Sequence, residues 1–147
     1  MVDQERILGI DFGEKRIGLA ISDPLHIIAQ GLPTLVYDEI ADLKNKINEI
    51  IKEYNVVKVI IGIPLNLKGE IGVAAKRCQE FIETLKSGIK IPVEEVDERF
   101  TSIIAERTLK DMGKSPSRNK AKIDELSASI LLQGYLDKIK TKSWIKN

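Results

Sequence analysis

Soft metal ligands are almost missing from this 147-residue chain, which has one cysteine, Cys78, and one histidine, His26. A lone thiol cannot build an intramolecular disulfide framework, and it fits a reducing compartment. Cys78 stands near Phe81 and Ile82 in a predicted helix and reads as a small core residue. His26, in "DPLHII" between predicted strands, has no nucleophile or orienting partner beside it in sequence, so it reads as structural or exposed. A charge excess of either sign is missing too: 23 basic and 22 acidic residues leave a net charge of +1. That total does not by itself point to nucleic acid, although it leaves room for a local basic patch. No apolar run approaches the roughly 20 residues needed to span a bilayer. The start, "MVDQERILGID", is a charged stretch leading directly into a strand and not a signal peptide. Linkers, internal repeats and low-complexity segments are also missing. The expectation is a cytoplasmic protein with no membrane partner, forming one domain over residues 1–147.

What is present suffices for a core. Hydrophobic residues make up 43% and charged residues 31%, a globular composition, and the length needs no disulfide or metal to stabilise it. Ile7–Ile10 and Ile17–Ile21 predict two strands around Gly13, and Leu32–Val36 a third, as an antiparallel meander. Asp38 is expected to cap a helix with apolar positions Ile40, Leu43, Ile47, Ile50, Ile51 and Tyr54. "VVKVIIGIP" predicts a strand covered on both faces and stopped by Pro64. A helix follows with Ala74, Cys78, Phe81, Ile82 and Leu85 on one side, then a short strand in "IPVEEVDE". "TSIIAERTLKDMG" predicts a helix capped by Thr101 or Ser102 and stopped by Gly113. Ile123 to about Ile139 is the last helix, and the tail "KTKSWIKN" has no clear assignment. The order β-β-β-α-β-α-β-α-α implies an α/β fold with one mixed five-stranded sheet, three antiparallel strands first and helices on its faces.

Three acidic positions stand out. Asp11 ends a strand that looks buried and central, where a lone carboxylate needs hydrogen bonds, a cation or solvent. It would serve equally to cap the turn to Gly13. "VDER" ends another strand before a helix; strand alternation sends Asp97 and Glu98 to opposite faces, and acidic residues are also favoured at a helix entry. Asp124, in the expected first turn of the last helix, shares a face with Ser127, Ala128 and Leu131, although the helix dipole alone would favour it there. Each has a structural explanation. If the strand ends share one sheet edge, however, the acids form an oxygen-rich cluster that repels itself without a cation. Hard oxygen ligands with no histidine or spare cysteine favour Mg²⁺ or Mn²⁺ over zinc. Beside Asp124, the segment from Lys110 to Lys122 holds Lys110, Lys114, Arg118, Lys120 and Lys122 against Asp111 alone. A solvated loop would look the same, but phosphates are drawn to such lysines and to a cation. Lys15 and Arg16 would extend the patch.

"GIDFGEKRIGLAIS", "IGIPLNLKGEIG", "VDERFTS" and "KAKIDELSASILLQGYL", in this order, resemble the YqgF or RuvX-like family from about Ile7 to Leu136. The resemblance implies an RNase H-like fold and a nuclease that resolves Holliday junctions or matures the precursor of 16S ribosomal RNA. It carries metal-binding and catalytic roles to Asp11, Glu98 and Asp124, favouring Glu98 over Asp97, which remains a second candidate ligand or a supporting residue. The second position of the family's "DERxTT" is here Ser102, and its frequent paired alanines are Ser127-Ala128; neither change removes a ligand. It further implies two Mg²⁺ or Mn²⁺ ions, with Asp11 bridging them, and a structured RNA or branched DNA partner met by Lys15, Arg16, Arg99, Lys114, Arg118, Lys120 and Lys122. Gly13 and Gly18 would let nucleic acid approach, or keep the turn tight. Cleavage would leave a 5′-phosphate and a 3′-hydroxyl. "DFGEKRIGLAIS" also resembles the first phosphate loop of the actin and sugar-kinase superfamily, which would make the chain an ATP-binding module, but that group needs two such domains. A non-catalytic binding module is the remaining alternative. The oligomeric state stays open between monomer and homodimer, and Trp144 alone marks no dimer face.

Overall fold

Alternation decides the layering. The structure, a computed structural model, describes residues 4–13, 16–63, 72–97, 107–114 and 120–145, with the backbone alone at 73–75, 97, 120–121, 124 and 141–145. The strands are β1 (Arg6–Phe12), β2 (Arg16–Ser22), β3 (Ala29–Val36), β4 (Val56–Ile63) and β5 (Val93–Asp97). The helices are α1 (Ile40–Tyr54), α2 (Val73–Gly88), a segment at 107–111 (α3) and α4 (Lys120–Ile145). The sheet runs β3-β2-β1-β4-β5, with β1–β3 antiparallel to one another in sequence and β4 and β5 parallel to β1. This is the expected mixed five-stranded sheet.

Leu8, Ile10 and Phe12 of β1, Ile17, Leu19 and Ile21 of β2, and Val59 and Ile61 of β4 point into one core, closed by Leu43 and Ile47 of α1 and Cys78, Phe81, Ile82 and Leu85 of α2. The intervening positions, Ile7, Ala20 and Ile60, point into a second core under Ala128, Leu131, Leu132 and Leu136 of α4. β4 is therefore covered on both faces. Gly9 lies on the α4 face, and a Cβ there would stand 3.0 Å from Leu132 Cβ and 3.6 Å from Ala128 O. Its missing side chain is what lets α4 settle onto β1.

Several boundaries differ from the sequence reading. β3 starts at Ala29, before the expected Leu32, and carries Pro33 at a register shift between its pairings Leu19↔Leu32 and Ile17↔Leu35. β3 is an edge strand, and an edge bulge tolerates a residue without an N–H. Asp38 does not cap α1. The first helical bond runs from Leu43 N to Glu39 O, so Glu39 holds the cap position, and its side chain makes no capping bond. α4 extends past Ile123 and Ile139 at both ends, where lysines at 120, 122, 140 and 142 break the apolar period that would mark it in the sequence. Gly113 stops α3 as expected: at φ 76° it donates to Lys110 O (2.9 Å), and Lys114 N donates to Leu109 O (2.8 Å). The expected caps Thr101 and Ser102, the stop at Pro64 and the loop 64–71 lie outside the described residues.

Candidate active site at the carboxyl end of the sheet

β1, β4 and β5 are parallel, so their carboxyl ends share one edge. Asp11 stands at that edge, half-buried, on the α4 face of β1 two residues after Gly9. Its cross-strand partners are Gly18 on β2 and Gly62 on β4. Both glycines are on the same face as Asp11, since their neighbours Ile17, Leu19 and Ile61 fill the other core. The positions directly paired with Asp11 on both adjacent strands are thus glycines, without a side chain of their own. The sequence places Gly18 there by hairpin pairing; Gly62 is legible only once the β1–β4 register is known.

The opposite face holds this edge rigid. Phe12 stacks on Phe81 at 5.0 Å and meets Tyr37 at 6.1 Å. Tyr37 Oη donates to Gly13 O at 2.7 Å. A Cβ on Gly13 would fall 2.5 Å from Arg16 O, so the turn after Asp11 is as tight as a glycine permits. Cys78, fully buried as expected, donates its thiol to Gly62 O at 3.6 Å.

α4 brings the next acid. Ala128 and Leu132 lie over Gly9, and Asp124 is one helical turn before Ala128. One turn rises about 5.4 Å and two strand residues span about 6.6 Å, so the step from Ala128 to Asp124 matches the step from Gly9 to Asp11. With the later turns of α4 packed over Ile7 and Ala29 at the other end of the sheet, the step from Ala128 back to Asp124 runs towards the edge where Asp11 stands. Asp124 sits in the second turn of α4 or later, not the first, so the dipole of the helix end accounts for it poorly. Asp97 is the last residue of β5, paired with Ile63 beside Gly62. Val96 packs into the α4 core, which fixes the parity of β5: positions 94 and 96 belong to the α4 face.

Among the basic candidates, Arg16 opens β2 with the parity of Gly18 and Ala20, on the α4 face at this same edge. Lys122 Nζ lies 3.5 Å from Glu125 Oε1 along α4, and Lys120 is the first described residue of that helix. Lys114 is exposed at the end of α3. Glu98, Lys15, Arg99 and Arg118 lie outside the described residues, as do the side chains of Asp97, Lys120 and Asp124. Among the described residues no group of three or more His, Cys, Asp and Glu side chains is placed to hold a metal ion.

His26 belongs to the other end of the molecule. It follows the far end of β2, adopts φ 58°, and donates Nε2–H to Glu5 O at 2.9 Å. With Cys78 turned to the α1–α2 side, the donors at the Asp11 edge are oxygens. One more oxygen was missed by the sequence reading as a site feature. Ser127 Oγ is a buried side-chain polar atom with no hydrogen-bond partner among the described residues. A buried hydroxyl left unpaired costs about 1–3 kcal/mol. A hard divalent cation with its hydration shell fits a half-buried carboxylate paired on either side with a glycine.

A central strand ending in a carboxylate, inside a β3-β2-β1-β4-β5 sheet crossed by a helix carrying a second one, defines an RNase H-like fold of the resolvase and nuclease type. Solved structures share it. Thermus thermophilus RuvC in complex with a Holliday junction substrate matches with a TM-score of 0.55 and 14% identity over 92% of this chain and 96% of that one. The fowlpox virus resolvase with its Holliday junction DNA matches with a TM-score of 0.54 and 16% identity over 91% and 98%. Residues 5–138 match the family described as RuvX, Holliday junction resolvase, and the chain belongs to that family. It is 48% identical over 136 residues to the "Putative pre-16S rRNA nuclease" of Sulfurihydrogenibium sp., covering 91% of each chain. It is 44% identical over 134 residues to the protein of the same name from Acetivibrio thermocellus, covering 90% of this chain and 95% of that one.

Proposed function

We propose that this chain is an endonuclease that hydrolyses phosphodiester bonds in structured nucleic acid with Mg²⁺ or Mn²⁺, and that it acts in 5′-end processing of pre-16S rRNA in the cytoplasm. The observation that carries the reading is Asp11, a half-buried carboxylate with Gly18 and Gly62 on either side. The names of relatives 44–48% identical support the substrate. Asp11, Glu98 and Asp124 would hold the ions. Glu98 is preferred to Asp97 on the family resemblance, and Asp97 stands out of step with 94 and 96, the α4-face positions of β5. Divalent ions bound there would supply an activated water and stabilise the leaving oxygen. Arg16, Lys120 and Lys122, with Lys15, Arg99, Lys114 and Arg118, would neutralise and orient the phosphate backbone. A family described as Holliday junction resolvases favours a second reading, cleavage of four-way DNA; paired cuts would then require a symmetric dimer.

The test is cleavage of a labelled pre-16S rRNA fragment and a labelled four-way DNA junction in Mn²⁺, by wild type and Asp11→Asn. Cutting of the RNA alone, reduced on the order of 10³-fold or more in the variant, is expected. Paired symmetric cuts in the junction alone would favour the second reading. No cleavage of either, or equal cleavage by the variant, would overturn both.

A further inference from the structure

Two helices begin at the edge where Asp11 stands, both on the face opposite α4, and they bring opposite charges to it. α1 follows β3 there, with Tyr37 Oη donating to Gly13 O at 2.7 Å just before it. Asp38, Glu39 and Asp42 are exposed at its start, against Lys46, whose Nζ donates to Val36 O at 3.3 Å. Acidic residues are the ones a helix's first turn favours. α2 has no acid in its first turn. It exposes Lys76 and Arg77 instead, and the first acid along it is Glu80.

Contacts further along α2 fix where these two bases lie. Cys78 Sγ meets Gly62 O at 3.6 Å, one residue short of the end of β4. Phe81 stacks at 5.0 Å on Phe12, the residue after Asp11. α2 then descends to Gly88, whose carbonyl accepts from Asn48 of α1 at 3.4 Å. Lys76 and Arg77 precede all of these contacts, so they stand at the carboxyl ends of β1 and β4. Positions 77, 81 and 88 share one flank of the helix, and that flank meets Phe12 and α1. Arg77 is thus one turn, about 5.4 Å of rise, from the ring that packs on the end of Asp11's strand. Lys76 lies on the outer side of α2, away from the buried Cys78.

We infer that Lys76 and Arg77 are phosphate contacts for the RNA, whose backbone crosses the Asp11 edge onto the start of α2 and not onto the acidic start of α1. This rests on the proposed nuclease reading. Arg16, Lys120 and Lys122 belong to the β2 and α4 side of that edge. Lys76 and Arg77 put cations on its other side, so a phosphate backbone spanning the edge meets positive charge before and after the carboxylates. The acids of α1 repel the other course.

The experiment measures the affinity of the whole chain for a labelled pre-16S rRNA fragment over a range of salt, without divalent ions so that binding is read and not cleavage. Wild type is compared with Lys76→Ala/Arg77→Ala and with Lys86→Ala/Lys90→Ala. Lys86 and Lys90 are exposed at the far end of α2, so both double variants lose the same charge and differ in where they lose it. The expected result is RNA affinity lowered about tenfold or more in Lys76→Ala/Arg77→Ala, with a log–log salt slope shallower by about one to two. Lys86→Ala/Lys90→Ala should stay near wild type. Lys76→Glu alone should also weaken binding at an unchanged melting temperature, which separates phosphate contact from any effect of Arg77 on the fold. Equal weakening by the two double variants would mean that net charge alone attracts the RNA, and would overturn the inference. Wild-type affinity and slope in Lys76→Ala/Arg77→Ala would overturn it too, leaving the nuclease reading in place. A wild type that does not bind the fragment would overturn that reading, and the inference with it.

Discussion

Asp23 is a carboxylate whose work within the fold is local, and its setting differs from that of Asp11. It sits in the exposed β2–β3 loop, where Oδ1 accepts from Ile27 N at 2.7 Å and Ile28 N at 2.8 Å. Desolvation, the largest single influence, favours its neutral form. The backbone N–H groups of Ile28, Ile27 and Leu25 together outweigh it and hold the carboxyl below its ordinary 3.8. A carboxyl lowered in the folded state contributes stability that is fully present above the ordinary value and is lost as pH falls through the folded one. In urea unfolding, the gap between wild type and Asp23→Ala should be flat above about pH 5 and shrink below about pH 4. A gap that widens on acidification would contradict this. Asp11 instead lies in a strand, paired on either side with a glycine. That contrast was partly legible in the sequence, since an acid ending an apolar run is visible without coordinates. Which face of β5 meets α4 was not, because it depends on the packing of Val96. The orphan Ser127 was not either, because satisfaction of a hydroxyl is a property of packing.

At the scale of elements, the seat of α4 on β1 would set the spacing of the acids in the proposed site. Gly9 makes that seat, with Leu132 Cβ 3.0 Å from where a Cβ would be. Gly9→Val should cost about 1–3 kcal/mol by overpacking. It should also weaken Mn²⁺ binding, because lifting α4 off β1 would move Asp124, a proposed ligand, away from Asp11. Ile47→Val, in the α1–α2 core, should cost about 1 kcal/mol and leave Mn²⁺ affinity unchanged. Equal Mn²⁺ affinity in both variants, by calorimetric titration, would mean that the α4 seat does not position the ligands. The element order and both core faces followed from periodicity in the sequence, because apolar alternation and helical spacing were strong in β1, β2, β4, α1 and α2. Boundaries failed where that signal was weak. Pro33 hid the continuity of β3, whose bulge depends on being at the sheet edge. Lysine-rich ends hid the length of α4.

At the scale of the whole molecule, the two faces of the sheet have separate duties. Larger side chains, including the Phe12–Phe81 stack, fill the α1–α2 side and brace the end of β1. Glycines and alanine at positions 9, 18, 20 and 62 thin the α4 side, so one helix comes close and carries its acid to the edge. The exposed Leu25, Ile27 and Ile28 lie at the opposite end, beyond β2, well separated from the carboxylates. None of the described helices is long and apolar enough to cross a membrane. The near-zero net charge thus coexists with a local arrangement suited to phosphate: acids that would hold cations at the sheet edge, and lysines in the helix that leads to it.

The most direct measurement is calorimetric titration of Mn²⁺ into wild type and Asp11→Asn, with melting curves of both in the presence and absence of the ion. Wild type should bind Mn²⁺ and gain thermal stability from it by mass action. Asp11→Asn should keep its metal-free melting temperature and lose the Mn²⁺ response. A wild type that ignores Mn²⁺, or a variant that responds equally, would contradict a cation site built around Asp11.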